Sequence, residues 1–143
     1  MQNSGSLFLI VGAALSAIAA FLHLGCIAFG APWYRFFGAG ERMAQAALAG
    51  RWYPTLVTLA ISAVLLVWSL YALSGAGVIG RLPLLRLVLC AITGTYLLRG
   101  VVFIPLMSRI SGNSLSFWLV SSAICLVLGV IHLIGVLRAW PHL

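Results

Sequence analysis

The sequence predicts an all-α fold, a polytopic membrane protein built as a bundle of four transmembrane helices. Apolar residues make up 64% of its 143 residues and charged residues only 6%, whereas about a quarter of the residues of a soluble domain are charged. The apolar residues fall into four runs, each close to the roughly 20 residues that cross a bilayer. Arginines stand singly near the ends of these runs, where a long side chain can reach the lipid headgroups. We therefore expect one transmembrane domain over residues 1–143, with the lipid bilayer as its main partner.

The first helix is predicted at about residues 7–29. Small and polar residues recur along it at alternating spacings of four and three, which places them on one face. In lipid, small residues on one face allow two helix backbones to approach closely. The face consists of Gly12, Ser16, Ala19, His23, Cys26 and Gly30. We expect this seam to pack inside the bundle.

The segment between the first two runs carries the only acidic side chain of the chain, Glu41. Gly38 and Gly40 interrupt the segment, and residues 41–49 favour a short helix that stops before Gly50. Glu41 would lie in its first turn, where the helix dipole favours a negative charge. Aromatic residues bracket the segment, as in the aromatic belts of membrane proteins. They are Trp33, Tyr34, Phe36, Phe37, Trp52 and Tyr53.

The second helix is predicted at about residues 52–73, with Pro54 in its first turn, where the missing N–H does no harm. Its hydroxyl side chains share one face: Thr55, Thr58, Ser62 and Ser69. This spacing indicates that the second helix also turns a polar stripe toward the bundle interior.

Two further helices complete the bundle. Pro83 opens the third helix, predicted at about residues 83–107, and Arg99 lies within it. The fourth helix is predicted at about residues 115–139. It carries a second seam of small and polar residues, which consists of Ser121, Cys125, Gly129 and His132.

The net charge of +7 comes from eight arginines and one glutamate. Because these arginines are scattered rather than gathered on one face, no nucleic-acid partner is expected. Four crossings place both termini on the same side of a membrane, which we expect to be a bacterial-type inner (plasma) membrane. Arginine counts do not decide the orientation, since the two sides are nearly equal. Arg35, Arg42, Arg51 and Arg109 belong to the side of the first and third loops, and Arg81, Arg86 and Arg138 to the side of the termini.

Two ionisable side chains are predicted at similar depths. At about 1.5 Å per helical residue, His23 lies about 10 Å and Arg99 about 12 Å below the surface formed by the first and third loops. An arginine inside a membrane segment normally faces protein or water. We expect a polar cavity, open toward these loops, that binds or transports a small anionic or amphipathic ligand, with Glu41 as the partner of Arg99. The candidate ligand-binding residues are His23, Glu41, Thr55, Thr58, Arg99, Ser121 and Ser122.

Other interpretations of the same features stay open. Arg99 is close enough to the end of its helix to snorkel to the headgroups, or to pair with Glu41 only to hold the loop. The small-residue seams also suit a structural or accessory subunit that forms a homo-oligomer or docks a partner. Histidines suit a membrane-embedded haem or redox enzyme, but His23 and His132 lie near opposite surfaces, which argues against one haem between them.

Catalytic machinery is not visible in the sequence. It has no paired carboxylates, no HExxH motif, no glycine-rich phosphate loop and no serine with an arranged histidine and acid. No predicted membrane helix carries the carboxylate expected of a proton-coupled exporter. The three cysteines stand singly in three helices, which indicates neither a disulfide nor a paired-thiol centre. The sequence thus favours a role other than that of an enzyme, predicts no metal site and identifies no cofactor.

Overall fold

The computed structural model describes residues 4–106 and 115–143, which are helical without any strand. Arg109 and the predicted end of the third helix at residue 107 lie outside these residues. The elements in chain order are α1 (Ser4–Phe29), α2 (Ala31–Phe36), α3 (Glu41–Leu48), α4 (Trp52–Gly75), α5 (Leu85–Leu106) and α6 (Leu115–Ala139), and a 3-10 turn, Trp140–His142, follows.

The four long helices α1, α4, α5 and α6 correspond to the four apolar runs. They contain 26, 24, 22 and 25 residues, and at about 1.5 Å per residue each exceeds the roughly 30 Å of a hydrocarbon core. All four contain a candidate membrane span by length and hydropathy. The predicted all-α class is confirmed over the described residues, and the four spans suggest a multi-pass membrane protein whose packing is compatible with a helical bundle.

Helices α1 and α4 are joined by hydroxyl side chains. Ser62 Oγ donates to the carbonyl of Ala20 at 2.9 Å, and Ser69 Oγ donates to the carbonyl of Ala13 at 2.8 Å. Both serines are almost fully buried. The predicted polar stripe of the second helix therefore faces α1, where it satisfies buried donors that lipid could not satisfy.

Glycines bring α6 close to its two neighbours. A Cβ added to Gly12 of α1 would lie 2.7 Å from the ring of His132, and one added to Gly129 of α6 would lie 2.7 Å from the side chain of Leu97. The small-residue seams of the first and fourth helices thus pack within the chain, with α1 and α5 on either side of α6.

The centre of the four-helix arrangement takes a side chain from each span. Tyr96 of α5 is hydrogen-bonded to Ser16 of α1, with 2.9 Å between the two hydroxyl oxygens. The Tyr96 ring lies edge-on to Trp68 of α4, at 5.0 Å between centroids, and 5.3 Å from the ring of His132. Because an aromatic hydroxyl buried among apolar groups needs a partner, this bond fixes how α1 and α5 face each other.

The first loop contains one helix more than predicted. Besides α3, which matches the predicted helix at 41–49, the short helix α2 begins directly after Gly30 and carries Pro32 in its first turn. Trp33 of α2 stacks on Phe29 at 4.4 Å between centroids. Its ring also lies against Gly25 of α1, so α2 folds back onto the end of the helix it follows.

The loop also reaches α6. Gly38 has a φ of +71°, a conformation that side chains with a Cβ rarely adopt, and a Cβ built there would lie 2.0 Å from the ring of Phe117. Glycine is therefore required at this position for two reasons, the positive φ of the turn between α2 and α3 and the closeness of the Phe117 ring. Through this contact the first loop covers part of the end of the bundle.

The predicted start of the third helix is wrong by two residues. Pro83 was expected to open it, but α5 begins at Leu85. Leu84 has a φ of +53°, which lies outside the right-handed helical region and interrupts the helix between the proline and α5.

Candidate functional site

Arg99 is the charged residue set deepest among the membrane spans that the structure describes. It lies seven residues before the end of α5 at Leu106, a depth of about 10 Å. Its Nη2 donates a hydrogen bond of 2.9 Å to Ser121 Oγ of α6, and the side chain is partly buried. The structure thus brings together two of the predicted site residues, one from each of two adjacent helices.

The α6 face beside this bond is polar and closely packed. Ser122 is only 3% exposed, and its Oγ has no hydrogen-bond partner among the described residues. Trp118 precedes it by one turn and is 5% exposed, while Cys125 follows Ser121 by one turn on the same face. A buried hydroxyl without a partner costs stability, so Ser122 is a group that a ligand or an ordered water would satisfy.

His23 lies at the same depth as Ser121. Gly12 faces His132 across the α1–α6 contact, and Leu9 faces Gly135. The two helices are therefore antiparallel, and a step toward the C-terminus of α1 corresponds to an equal step toward the N-terminus of α6. His23 follows Gly12 by eleven residues, and Ser121 precedes His132 by eleven. The Nδ1 atom of His23 is 2.7 Å from the carbonyl oxygen of Ala19 in its own helix. Because a carbonyl oxygen only accepts, Nδ1 is the donor in this bond.

The two threonines of α4 lie near the covering loop. Thr58 is 4% exposed, and its hydroxyl is 3.1 Å from the hydroxyl of Tyr34 in α2. Thr55, almost one turn earlier in α4, is partly buried. The Tyr34–Thr58 bond ties the first loop to the bundle at the end where Arg99 lies.

The predicted pairing of Glu41 with Arg99 is wrong. Both carboxylate oxygens of Glu41 accept from Arg35, at 2.9 Å from Nε and 2.8 Å from Nη2, and Gln45 Nε2 donates to Oε1 at 2.7 Å. Arg35 is the partner of Glu41 because the two residues are only six apart in sequence, and the turn between α2 and α3 brings them together on the same exposed loop. The bonds from Arg35 and Gln45 lower the pKa of Glu41 from 4.5 to about 2, and Glu41 raises the pKa of Arg35 in turn.

An open depression lies elsewhere on the described part of the chain. It has a volume of about 530 Å³ and is lined by residues 81–87, between α4 and α5 on the side of the termini.

Sequence reasoning missed the centre of the bundle. Tyr96 was not singled out, although a tyrosine in the middle of a long apolar helix signals a buried hydroxyl in need of a partner. Next to it, His132 is fully buried, its Nδ1 is 2.8 Å from the carbonyl oxygen of Leu128, and its Nε2 has no partner among the described residues. His132 faces Gly12, eleven residues from His23, so the two histidines are separated by about 16 Å along the bundle. One haem could not be held between them.

Within residues 4–106 and 115–143, no group of three or more histidine, cysteine or acidic side chains comes together to hold a metal ion. Comparison of the chain with protein-family models, with curated proteins and with solved structures gives no match.

Proposed function

We propose that this chain is a small multi-pass protein of a bacterial-type inner membrane that binds or transports a small anionic or amphipathic ligand between its helices. The site is the polar region around Arg99 and Ser121, open toward the first and third loops. The observation that carries the proposal is the Arg99–Ser121 hydrogen bond, which holds a guanidinium inside the bundle at about 10 Å from the end of its helix.

The charge balance of the chain favours an anion as the ligand. Glu41 is the only acidic side chain in the sequence, and both of its oxygens are bound by Arg35. The carboxylate that could neutralise a membrane-embedded arginine is thus committed to the loop. A ligand that brings a negative charge would be attracted to Arg99, because electrostatic attraction is strong where water is scarce.

The polar groups around Arg99 suit an anionic headgroup or a small oxyanion. Ser122 offers a buried hydroxyl without a partner among the described residues, and Ser121 is already oriented by Arg99. Both hydroxyls can donate to an anion while Arg99 supplies the charge. The proposed lining is completed by His23 of α1, at the same depth, and by two threonines of α4, Thr55 and Thr58.

The first loop is proposed as the cover of this site. It is attached to α1 through Trp33, to α4 through the Tyr34–Thr58 bond and to α6 through Phe117. These three attachments place α2 and α3 at the end of the bundle nearest to Arg99. A ligand entering from that side would have to pass beside the loop or displace it.

The alternative role of a docking subunit was based on the small-residue seams. Gly12, Ser16 and Gly129 pack against His132, Tyr96 and Leu97 of the same chain. These seams are therefore engaged inside the bundle, and the ligand-binding role is the one that the geometry favours.

The experiment uses decanoate as an amphipathic anion and compares Arg99→Gln with Arg42→Gln. Arg42 is an exposed arginine of the first loop, so both variants lose one positive charge. Thermal unfolding in detergent, followed by tryptophan fluorescence, should show stabilisation of the parent protein and of Arg42→Gln by decanoate, because a ligand that binds the native state raises its stability. Arg99→Gln should lose this shift. Equal shifts in all three proteins would refute the proposal.

A further inference from the structure

The open depression at the opposite end of the bundle has two arginines, Arg81 and Arg86, among its lining residues. Its volume is about 530 Å³, and residues 81–87 line it. We propose that this depression binds the headgroup of an anionic phospholipid, with Arg81 and Arg86 holding the phosphate and with the acyl chains lying on the exposed apolar surface beside it. This site is independent of Arg99 and of the proposed ligand.

The loop that forms the depression is fixed from both sides. Ser74 Oγ donates to the carbonyl of Gly80 and accepts from the N–H of Leu82, each at 3.0 Å. Tyr71 donates to the carbonyl of Pro83 at 3.2 Å. These three bonds anchor the loop to the last turns of α4, so the depression is formed before any ligand arrives.

Arg86 is held in a defined orientation. Its Nε donates to the carbonyl of Leu143 at 2.9 Å and its Nη2 to the carbonyl of Trp140 at 3.3 Å. The guanidinium also lies over the Trp140 ring, at 5.2 Å from its centroid. A guanidinium fixed in this way loses little entropy when it binds an anion.

Arg81 supplies the second positive charge. It lies on the rim of the depression and is exposed. The only acidic side chain of the chain, Glu41, belongs to α3, beyond the opposite end of α4. Arg81 and Arg86 thus give this rim two positively charged side chains, which complement the phosphate of a lipid headgroup.

The surroundings distinguish a phospholipid from a soluble anion. Two large apolar side chains that line the depression are exposed, Leu84 at 71% and Leu87 at 65%, and so are Val78 at 55% and Ile79 at 38% in the loop that precedes it. Further along the candidate span of α5, Leu98 and Val101 are exposed as well. Arginines at the end of a span lie at headgroup level, so a phosphate at Arg81 and Arg86 would leave its acyl chains against these side chains.

The test compares dioleoyl phosphatidylglycerol with dioleoyl phosphatidylcholine, which share their acyl chains. Binding of each lipid to the intact protein is measured by titration in native mass spectrometry. The parent protein should prefer phosphatidylglycerol, and Arg81→Gln should bind it about fivefold more weakly, as expected for one arginine near an anionic surface. Arg81→Gln is chosen because Arg86 also holds the C-terminal residues.

The matched control is Arg138→Gln. Arg138 lies at the same end of the bundle, over the ring of Phe8, and its loss removes the same charge outside the depression. This variant should keep the phosphatidylglycerol affinity of the parent. An equal loss in both variants would show that only net charge matters, and an unchanged affinity in Arg81→Gln would show that the lipid binds elsewhere. Either result overturns the proposal.

A soluble competitor separates the headgroup from the whole lipid. Glycerophosphoglycerol, the phosphodiester that remains when both acyl chains are removed, carries the same charge without acyl chains, and it should displace phosphatidylglycerol only at concentrations far above that of the lipid. Displacement at equal concentration would mean that the depression binds a free phosphate, and the phospholipid assignment would then be wrong.

Discussion

The hydrogen bond between Ser16 and Tyr96 should make a measurable contribution to the stability of the bundle. The two hydroxyl oxygens are 2.9 Å apart, and the residues are 0% and 5% exposed, so water cannot replace either partner. Interhelical hydrogen bonds of this kind in a membrane contribute about 0.6 kcal/mol on average and at most about 1.7 kcal/mol. Because a serine that loses its partner can bond to a carbonyl of its own helix, we expect a coupling energy of about 0.5–1.5 kcal/mol.

A double-mutant cycle measures this coupling. Ser16→Ala, Tyr96→Phe and the double variant are unfolded with sodium dodecyl sulfate in mixed micelles, and the free energies of unfolding are compared. Thr95→Val is the control, because Thr95 is exposed and bonds only to the carbonyl of Ala91 in its own helix. Its free energy of unfolding should hardly change. A coupling energy indistinguishable from zero would mean that α1 and α5 do not face each other as described.

Two further predictions concern helix packing and the loop. Gly12→Ala should destabilise the protein by about 1–3 kcal/mol, since its Cβ would lie 2.7 Å from the buried His132 ring, whereas Gly94→Ala, with open space around its Cβ, should be neutral or slightly stabilising in the same unfolding assay. The pKa of Glu41, about 2 in the folded protein, lies below its ordinary value, so the stabilisation of α3 by Arg35 should be complete above about pH 4.5 and be lost as the pH falls toward 2. Carboxyl ¹³C NMR should show this titration and its return toward the ordinary pKa in Arg35→Gln. Destabilisation by Gly94→Ala equal to that by Gly12→Ala, or a Glu41 pKa unchanged by Arg35→Gln, would contradict the respective contact.

The membrane helices could be predicted from the sequence because their signal is local. Each needs only a long apolar run and a terminator, and the second helix, for example, was expected to begin at residue 52, where α4 begins. The start of α5 was missed because proline at 83 is a common helix opener, whereas the positive φ of Leu84 depends on how the loop is anchored to α4. Helix α2 was missed although Pro32, two residues after Gly30, is a typical sign of a helix start.

The site could be predicted only in part. The depth of Arg99 follows from its position in the run, but its partner depends on the rotation of α5 against α6, which no local pattern fixes. Ser121 was among the predicted residues, and it is the one that Arg99 contacts. Glu41 was assigned to Arg99 because it was the only acid, and the nearer Arg35 was overlooked because α2 had not been predicted.

The region around Arg99 should admit an anion from water, and Cys125 offers a native reporter for this access. Cys125 lies one turn from Ser121 and is partly buried. With Cys26 and Cys90 replaced by alanine, its reaction rates with an anionic and a cationic methanethiosulfonate reagent are compared in reconstituted vesicles, neither reagent being soluble in lipid. We predict that the anionic reagent reacts faster and that this preference disappears in Arg99→Gln. A Cys125 that neither reagent reaches, or a preference that Arg99→Gln leaves intact, would contradict the account.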